Sequence, residues 1–190
     1  MLFRSLMFDQ FVSGDYWERH QIAKRNRPAM PESWLAAVQR MKGLRLLPTH
    51  NPWRTVTDAL VGLPDPARTQ MPSIQHRLQP GARSYTGHTG SPAHLPAKTL
   101  KAGDHGVPGG ENMLVQHDGS VRYFTVRESA RLQTFPDGYR FHGSWSESMR
   151  QLGNAVPLAL AQVVAASVAE SLIEGQMREL ALRTAGRAVA

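Results

Sequence analysis

The chain has 190 residues, 41% of them hydrophobic, which is enough for one folded domain with a sizeable core. Lysine and arginine total 22 against 15 acidic residues, and the resulting pI near 10.4 favours a polyanionic partner such as nucleic acid over an acidic small molecule. Many small proteins are basic without such a partner, so charge alone does not decide. There is no cysteine, which excludes disulfides, thiolate metal sites and a cysteine nucleophile within this chain.

Neither a membrane span nor a signal peptide is predicted. No stretch approaches 18 uncharged apolar residues, and the amino end MLFRSLMFDQF lacks a long apolar core followed by a small-residue cleavage site. We therefore expect a cytoplasmic protein with no membrane partner.

Residues 1–65 are predicted to form helices joined by loops. The stretch PESWLAAVQRMKG predicts a helix that begins at Pro31 and stops at Gly43, since proline suits a first helical position and glycine a stop. A second short helix is predicted in TVTDALVGL, with either Thr55 or Thr57 as its cap.

The composition changes between Pro66 and Gly103. This segment contains no acidic residue, and its positive charges lie among glycine, serine, threonine and proline. It is predicted to be irregular and basic, with few helix signals. The eight histidines of the chain show no metal-ligand spacing, so we interpret them as polar loop residues and assign no metal site.

Local signals become clear after this segment. ENMLVQHDGSVRYFT predicts a hairpin that turns at Asp118 and Gly119. Thr125 and Glu128 then form a capping box at the start of a helix. That helix is expected to end near Gln133 or Thr134, because Pro136 disfavours a helical residue before it.

A second capping box opens the next helix, at Ser144 and Glu147. This helix is predicted to end near Gly153 and Asn154, which both tolerate left-handed backbone geometry. From Pro157 the apolar stretch PLALAQVVAASVAESLIEGQ predicts a long closing helix.

Two of these stretches carry a family resemblance. RYFTVRESARLQTFPD, followed after a spacer by RQLGNAVPLALA, resembles the last two conserved motifs of the DNA cytosine-5 methyltransferases in order and spacing. Upstream, PAKTLKAGDHGVPGGEN and PWRTVTDALVGLPDP resemble the two ends of that family's target recognition region, and DQFVSGDYWERH resembles the stretch beyond its central catalytic half. The resemblance covers nearly the whole chain and implies the carboxy-terminal portion of such an enzyme.

The same resemblance shows which family elements this sequence lacks. Family members hold S-adenosylmethionine with a Gly-rich loop, attack cytosine C6 with the Cys of a Pro-Cys pair, and contact the base with a Glu in a Glu-Asn-Val motif, and they also carry a Gln-x-Arg-x-Arg element. None of these occurs here. Thiolate addition makes C5 able to accept a methyl group, so we expect the chain alone not to methylate. We assign it no catalytic residue, and a separate partner chain is expected to supply the catalytic half.

In the family, a small domain holds duplex DNA while the target base is extruded. The basic segment matches that task, because major-groove edges distinguish every base pair and other cations contact phosphate. Plain solvated charge remains an alternative for each cation, as does inward packing for the tyrosine. The candidate DNA-contacting residues are Arg77, Arg83, Tyr85, His88, Lys98, Thr99 and Lys101.

The helix after the hairpin is interpreted as a scaffold for the recognition loops, with direct DNA contact as the alternative. Glu128 and Arg131 are spaced for an ion pair, and Phe135 and Pro136 are expected to plug the core. The residues assigned to this structural motif are Arg127, Glu128, Arg131, Gln133, Phe135 and Pro136.

The GNAVP element has a separate role in the family, where it lines the cofactor pocket. The resemblance therefore implies a shared S-adenosylmethionine half-pocket with Asn154, Ala155 and Val156 as candidate contacts. The alternative is an ordinary glycine and asparagine helix stop followed by proline at a helix start.

The expected fold is mixed and irregular α/β. Residues 1–65 would connect from the catalytic half, residues 66–142 would form the recognition domain with short strands and helices, and residues 143–190 would return to a Rossmann-like methyltransferase domain outside this chain. Three functional hypotheses stay open: the recognition part or subunit of a DNA methyltransferase, a stand-alone sequence-specific DNA binder, or an inactive remnant.

Overall fold

The structure, a computed structural model, describes residues 4–44, 50–87, 89–102 and 112–187. Its helices and strands together confirm the predicted mixed α and β class. The helices are α1 Arg4–Phe11, α2 Asp15–Arg19, α3 Glu32–Leu44, α4 Val56–Leu60, α5 Val126–Leu132, α6 Trp145–Asn154 and α7 Leu158–Arg187. The strands are β1 Ser91–Pro92, β2 Met113–Val115 and β3 Val121–Tyr123, and single 3-10 turns lie at Lys24–Asn26 and Pro72–Ile74.

A small sheet has the order β1-β2-β3. Strands β2 and β3 pair antiparallel, with Met113 opposite Tyr123, which confirms the predicted hairpin. Its turn is fixed locally: Gly119 has a φ of 83°, and the Asp118 carboxylate accepts from the backbone N–H of Ser120 at 2.9 Å. Strand β1 pairs parallel with β2, a pairing that the irregular composition of residues 66–103 does not predict.

Side chains close the amino ends of α4, α5 and α6. In each case a hydroxyl accepts from a backbone N–H three residues on, and the acid there accepts from the cap residue, so the orphan N–H groups are satisfied. Both capping boxes predicted from sequence are confirmed, and of the two candidates for α4, Thr55 is the cap. The pairs are Thr55 with Asp58, Thr125 with Glu128, and Ser144 with Glu147.

The carboxy ends of α5 and α6 differ from each other. Helix α5 ends at Leu132, close to the predicted position, and Thr134 follows with a φ of 59°. Helix α6 ends at Asn154, as expected, but through an extended Ala155 with φ −76° and ψ 143°. The predicted left-handed stop is therefore wrong, because Gly153 remains in the helix.

The main core lies between the sheet and helices α4, α5 and α6, and it draws on each of the three predicted segments. A fully buried large apolar side chain contributes about 1.5–3 kcal/mol relative to exposure. The buried members of the main core are Val56, Ala93, Leu100, Leu114, Phe124, Val126, Ala130, Phe141, Met149 and Leu152. Two smaller clusters hold the amino-terminal helices together: Met7, Val38 and Met41, and Tyr16, Trp17 and Ile22.

Helix α7 is 30 residues long and begins with two hydrogen bonds to the end of α5. The N–H of Leu158 donates to the carbonyl of Gln133 at 2.9 Å, and that of Ala159 donates to Thr134 Oγ1 at 2.8 Å. Beyond this base its large apolar side chains are exposed: Leu160, Val163, Val164, Val168, Leu172, Ile173 and Met177.

By length and composition alone, one helical stretch within Trp145–Glu179 is apolar enough to cross a membrane, with mean hydropathy 1.8. Gln162, Ser167, Glu170 and Glu174 lie within it, so it contains no run of 18 uncharged apolar residues. A helix meant to pack on another protein surface has the same composition.

Candidate recognition and cofactor-lining site

Arg127, in the first turn of α5, is fully buried and bonds to three backbone carbonyls. Its Nε donates to Ile74 O at 2.9 Å, and its terminal nitrogens donate to Pro136 O at 3.1 Å and Tyr139 O at 2.7 Å. Burial lowers the pKa of Arg127 below its ordinary value, but guanidinium remains cationic at any physiological pH. This side chain therefore joins α5 to the start of the basic segment and to the loop after α5.

Glu128 pairs with Arg122 in a two-pronged contact, with both N···O distances at 2.7 Å. The predicted ion pair between Glu128 and Arg131 is wrong. The Glu128 carboxylate already binds the Thr125 N–H and Arg122 of strand β3. Arg131 points away and binds Asp137. Arg131 also donates to the carbonyl of Val61 at 2.7 Å, and this guanidinium lowers the pKa of the Asp137 carboxyl.

Gln133 ties α5 to the segment predicted to line the cofactor. Its Nε2 donates to Leu152 O at 2.7 Å and to Ala155 O at 3.3 Å. Phe135 packs on the main core as expected. Pro136 is exposed, so its predicted role as a core plug is wrong. Its carbonyl accepts from the Arg127 side chain and from the Tyr139 N–H.

His76 is a structural residue that the sequence reasoning missed. It is fully buried, with Nε2 at 2.8 Å from Pro64 O and Nδ1 at 2.9 Å from Thr125 Oγ1. A carbonyl only accepts, so Nε2 carries the proton there and Nδ1 can accept the threonine hydroxyl. The polar-loop interpretation is wrong for this histidine, and its 49-residue separation from Thr125 leaves no local sequence signal.

Gln75 makes a second unpredicted link from the basic segment. Its side chain forms paired hydrogen bonds with the backbone of Phe141, both at 2.9 Å, and its own φ is 61°. Within the described ranges no group of three or more histidines and acids is arranged to hold a metal ion.

The predicted DNA-contacting residues that the structure describes are all exposed. Tyr85 is 53% exposed, which disfavours its inward-packing alternative. Lys98 donates from Nζ to Thr89 Oγ1 at 2.9 Å while its backbone N–H binds the Ser91 hydroxyl, so the exposed lysine sits on a fixed backbone. His88 lies outside the described residues. The others on the surface are Arg77, Arg83, Thr99 and Lys101.

The predicted cofactor-lining residues form a short extended link between α6 and α7. Asn154 is exposed, Ala155 is partly buried, and Val156 is 60% exposed. A roughly 470 Å³ cavity lies elsewhere, between Arg77, Trp145 and Ser148, and does not include the link. Contact of Asn154, Ala155 and Val156 with S-adenosylmethionine stays a prediction.

The sequence profile of the C-5 cytosine-specific DNA methylases matches residues 13–170. The chain belongs to this family. Among similar methylases, the type II methyltransferase M.AplI of Arthrospira platensis is 42% identical over 79 residues, which is 41% of this chain and 23% of that protein. M.AgeI of Thalassovita gelatinovora is 50% identical over 52 residues, 27% of this chain and 12% of that protein.

A plant methylase shows the same partial overlap. The DNA (cytosine-5)-methyltransferase CMT2 of Oryza sativa is 38% identical over 68 residues, 36% of this chain and 5% of that protein. The matched part of this methylase chain thus spans less than a quarter of each of these relatives.

Proposed function

We propose that the chain is the carboxy-terminal part of a DNA cytosine-5 methyltransferase, where it recognises the DNA target and forms one wall of the S-adenosylmethionine pocket. The chain has no cysteine, so the thiolate that activates cytosine comes from a catalytic half outside it. Bound S-adenosylmethionine supplies the methyl group. The proposed partners are duplex DNA and that catalytic half, in the cytoplasm.

The contacts of α5 and its carboxy-terminal cap, which we call the α5 brace, support this proposal more than any other observation. Arg127 holds Ile74 on one side, and Gln133 holds Ala155 on the other. One short buried helix therefore fixes the basic segment and the cofactor-lining link relative to each other. Such rigidity serves an enzyme that must present an extruded base to a cofactor, because small misplacements of reacting groups are costly.

The exposed basic segment supports the DNA-binding part of the proposal. It carries cations and no acids between Pro66 and Gly103, and hydrogen bonds from Gln75, His76 and Arg127 hold its first part against the core. A fixed, acid-free surface loses little entropy on meeting a phosphate backbone, and its contacts release counterions.

The exposed side chains of helix α7 support the proposal that a catalytic half binds this chain. Its apolar side chains are more than half exposed from Leu160 to Met177, an unusual state for a free soluble protein. We infer that it packs on the Rossmann-like domain of the catalytic half, which would bury these groups.

Complementation tests the proposal. The purified chain is mixed with a catalytic half that carries the Gly-rich loop and the Pro-Cys pair, and labelled methyl transfer from S-adenosylmethionine to duplex DNA is followed. Methylation should require both pieces and should vanish when the partner's cysteine is replaced by serine. An inactive mixture of two folded pieces would disprove complementation.

A charge-matched pair of triple variants tests the recognition surface in the same assay. Replacing three cations of the basic segment should weaken DNA binding and reduce the slope of log K against log salt by about 0.9 for each lost phosphate contact. The same net charge change on the amino-terminal helices should leave the slope nearly unchanged. The test variant is Arg83→Gln, Lys98→Gln and Lys101→Gln, and the control is Arg25→Gln, Arg40→Gln and Lys42→Gln.

A stand-alone DNA-binding module is the second candidate, favoured by a recognition core that is complete without α7. It predicts sequence-specific duplex binding by the chain alone and no methyl transfer in any mixture. An inactive remnant would instead be poorly soluble and bind DNA without preference.

A further inference from the structure

Gly153, in the last turn of α6, touches the backbone at the end of the basic segment. A Cβ atom added there would lie 2.6 Å from Ala102 N and 2.7 Å from the carbonyl carbon of Lys101. Both distances are shorter than real Cβ contacts, and both neighbours are main-chain atoms that cannot rotate away. The helix and the segment therefore meet backbone to backbone.

Conformation does not explain this glycine. Gly153 lies inside α6 and is not among the residues with positive φ, so an alanine would suit its backbone and favour the helix. By contrast, Gly43 in α3 has no atom within 4 Å of an added Cβ. What glycine provides at position 153 is the close approach.

Both sides of this contact are held in place. On the segment side, Asn112 Nδ2 donates to Lys101 O at 3.3 Å, and Leu100 is buried in the main core. On the helix side, Gln133 Nε2 binds Leu152 O and Ala155 O, the carbonyls on either side of Gly153 and Asn154. A displacement at the contact therefore moves the segment, the link, or both.

We propose that Gly153 is a positioning residue that couples the recognition segment at residues 99–102 to the cofactor-lining link at residues 154–156. This coupling rests on the proposed function of both segments. Through it, the position of Lys101 on DNA and the position of Ala155 beside the cofactor are set by one contact. A side chain at 153 separates the two backbones and disturbs both sites.

Hydrogen exchange of the full chain tests the contact itself, without DNA or a catalytic half. In Gly153→Ala, peptides covering residues 97–102 and 152–156 should exchange about tenfold faster, while peptides from α3 and the β2-β3 hairpin keep their rates. Gly43→Ala is the matched control and should change neither region. Unchanged exchange at both sites, or faster exchange everywhere, overturns the proposal.

DNA binding tests the consequence for recognition. With wild-type binding established, Gly153→Ala should raise the dissociation constant about tenfold, the size of one charge-assisted contact, and lower the salt slope by about 0.9. In a Lys101→Ala background it should add less than twofold, since the same contact is already lost. Additive losses mean that Gly153 acts elsewhere, which overturns the proposal.

The kinetic constants of the complemented enzyme distinguish a positioning role of Gly153 from simple destabilisation of the fold. Gly153→Ala should raise KM for both DNA and S-adenosylmethionine more than it lowers kcat, and Gly43→Ala should change neither. If only kcat falls in proportion to the folded fraction, the residue is merely structural. If wild-type chain binds no DNA and complements nothing, the proposed function fails, and the exchange result alone then decides whether the contact couples the two segments.

A second variant covers the case in which Gly153→Ala does not fold. Ala102→Val adds bulk to the same contact from the segment side, because Ala102 Cβ lies 3.0 Å from a Cβ built on Gly153. Ala67→Val, on an exposed turn, is its control. The same two peptides should exchange faster in Ala102→Val alone. Rates equal to the wild type there overturn the proposal.

Discussion

Helices α5 and α7 are opposites in how they use their side chains. Helix α5 has seven residues and buries an arginine and a glutamate. Helix α7 has 30 residues and exposes valines, leucines and an isoleucine. Helix α5 thus buries charged residues beside its apolar Val126 and Ala130, and α7 exposes apolar residues, so both depart from the usual distribution. The difference shows that the contribution of a helix to this fold follows its contacts and not its length.

The physical reason lies in the available partners. The charges of α5 are compensated, since Arg127 meets three carbonyls and Glu128 meets Arg122. The apolar groups of α7 belong to none of the core clusters found among the described residues. The charged side chains of α5 find their partners within this chain, whereas the described apolar side chains of α7 are exposed.

The largest effect is expected from Arg127→Met, which keeps the length of the side chain but removes the buried donor of three partly buried hydrogen bonds to carbonyls. Unfolding free energy should fall by about 3–5 kcal/mol, measured by urea unfolding with tryptophan fluorescence. Arg140→Met, at an exposed position of the same loop, should stay within about 0.5 kcal/mol of the wild type. A cost for Arg127→Met below about 1 kcal/mol would show that α5 is not the brace.

A somewhat smaller loss is expected from Glu128→Ala. It removes a helix cap and also leaves the Arg122 side chain, which is only 11% exposed, without its carboxylate, so about 2–4 kcal/mol should be lost. Glu147→Ala removes the same kind of cap from the exposed amino end of α6 and should cost clearly less. Equal losses for the two variants would mean that the Arg122 pair adds nothing, and the same unfolding assay decides it.

The free energy of unfolding should change with pH by about 1 kcal/mol through His94, after allowance for partial solvent screening. Burial, with a smaller contribution from His117, lowers the pKa of His94 from 6.5 to about 4. Between these values the unfolded chain binds more protons, so this stabilisation is complete above pH 6.5 and is lost as pH falls toward 4. His94→Gln should flatten the pH dependence of unfolding, and His142→Gln, at an exposed position, should not. An unchanged slope in His94→Gln would contradict this assignment.

The smallest effect on stability is expected in α7. Val164→Glu with Val168→Glu should change the unfolding free energy of the free chain by less than about 0.5 kcal/mol, because both side chains are already exposed. The same variant should abolish complementation, while Val164→Ala with Val168→Ala should retain most of it. Full activity of the glutamate variant would place the partner on another surface.

Local rules predict much of this fold. Both capping boxes and the hairpin follow from residues within a few positions of each other, where steric and hydrogen-bonding preferences act without help from the rest of the chain. The helix stop after α5 follows in the same way from Pro136.

The contacts that assemble the site are not local. Arg122 lies on a strand six residues before Glu128, His76 is 49 residues from Thr125, and β1 pairs with β2 across a long connection. Periodicity and capping say nothing about such pairs. The spacing rule that predicts an ion pair between Glu128 and Arg131 fails because both side chains have better partners elsewhere. The DNA and cofactor roles of the candidate residues stay predictions.

The hydrogen bonds at the first turn of α7 affect how the chain melts. An α-helix of 30 residues is about 45 Å long, and the two hydrogen bonds at its base transmit little of the stability of the core to its far end. The helix and the core should therefore lose structure in separate transitions, so that far-ultraviolet circular dichroism and tryptophan fluorescence report different midpoints. Cooperativity between them would arise only when a second surface covers the helix along its length.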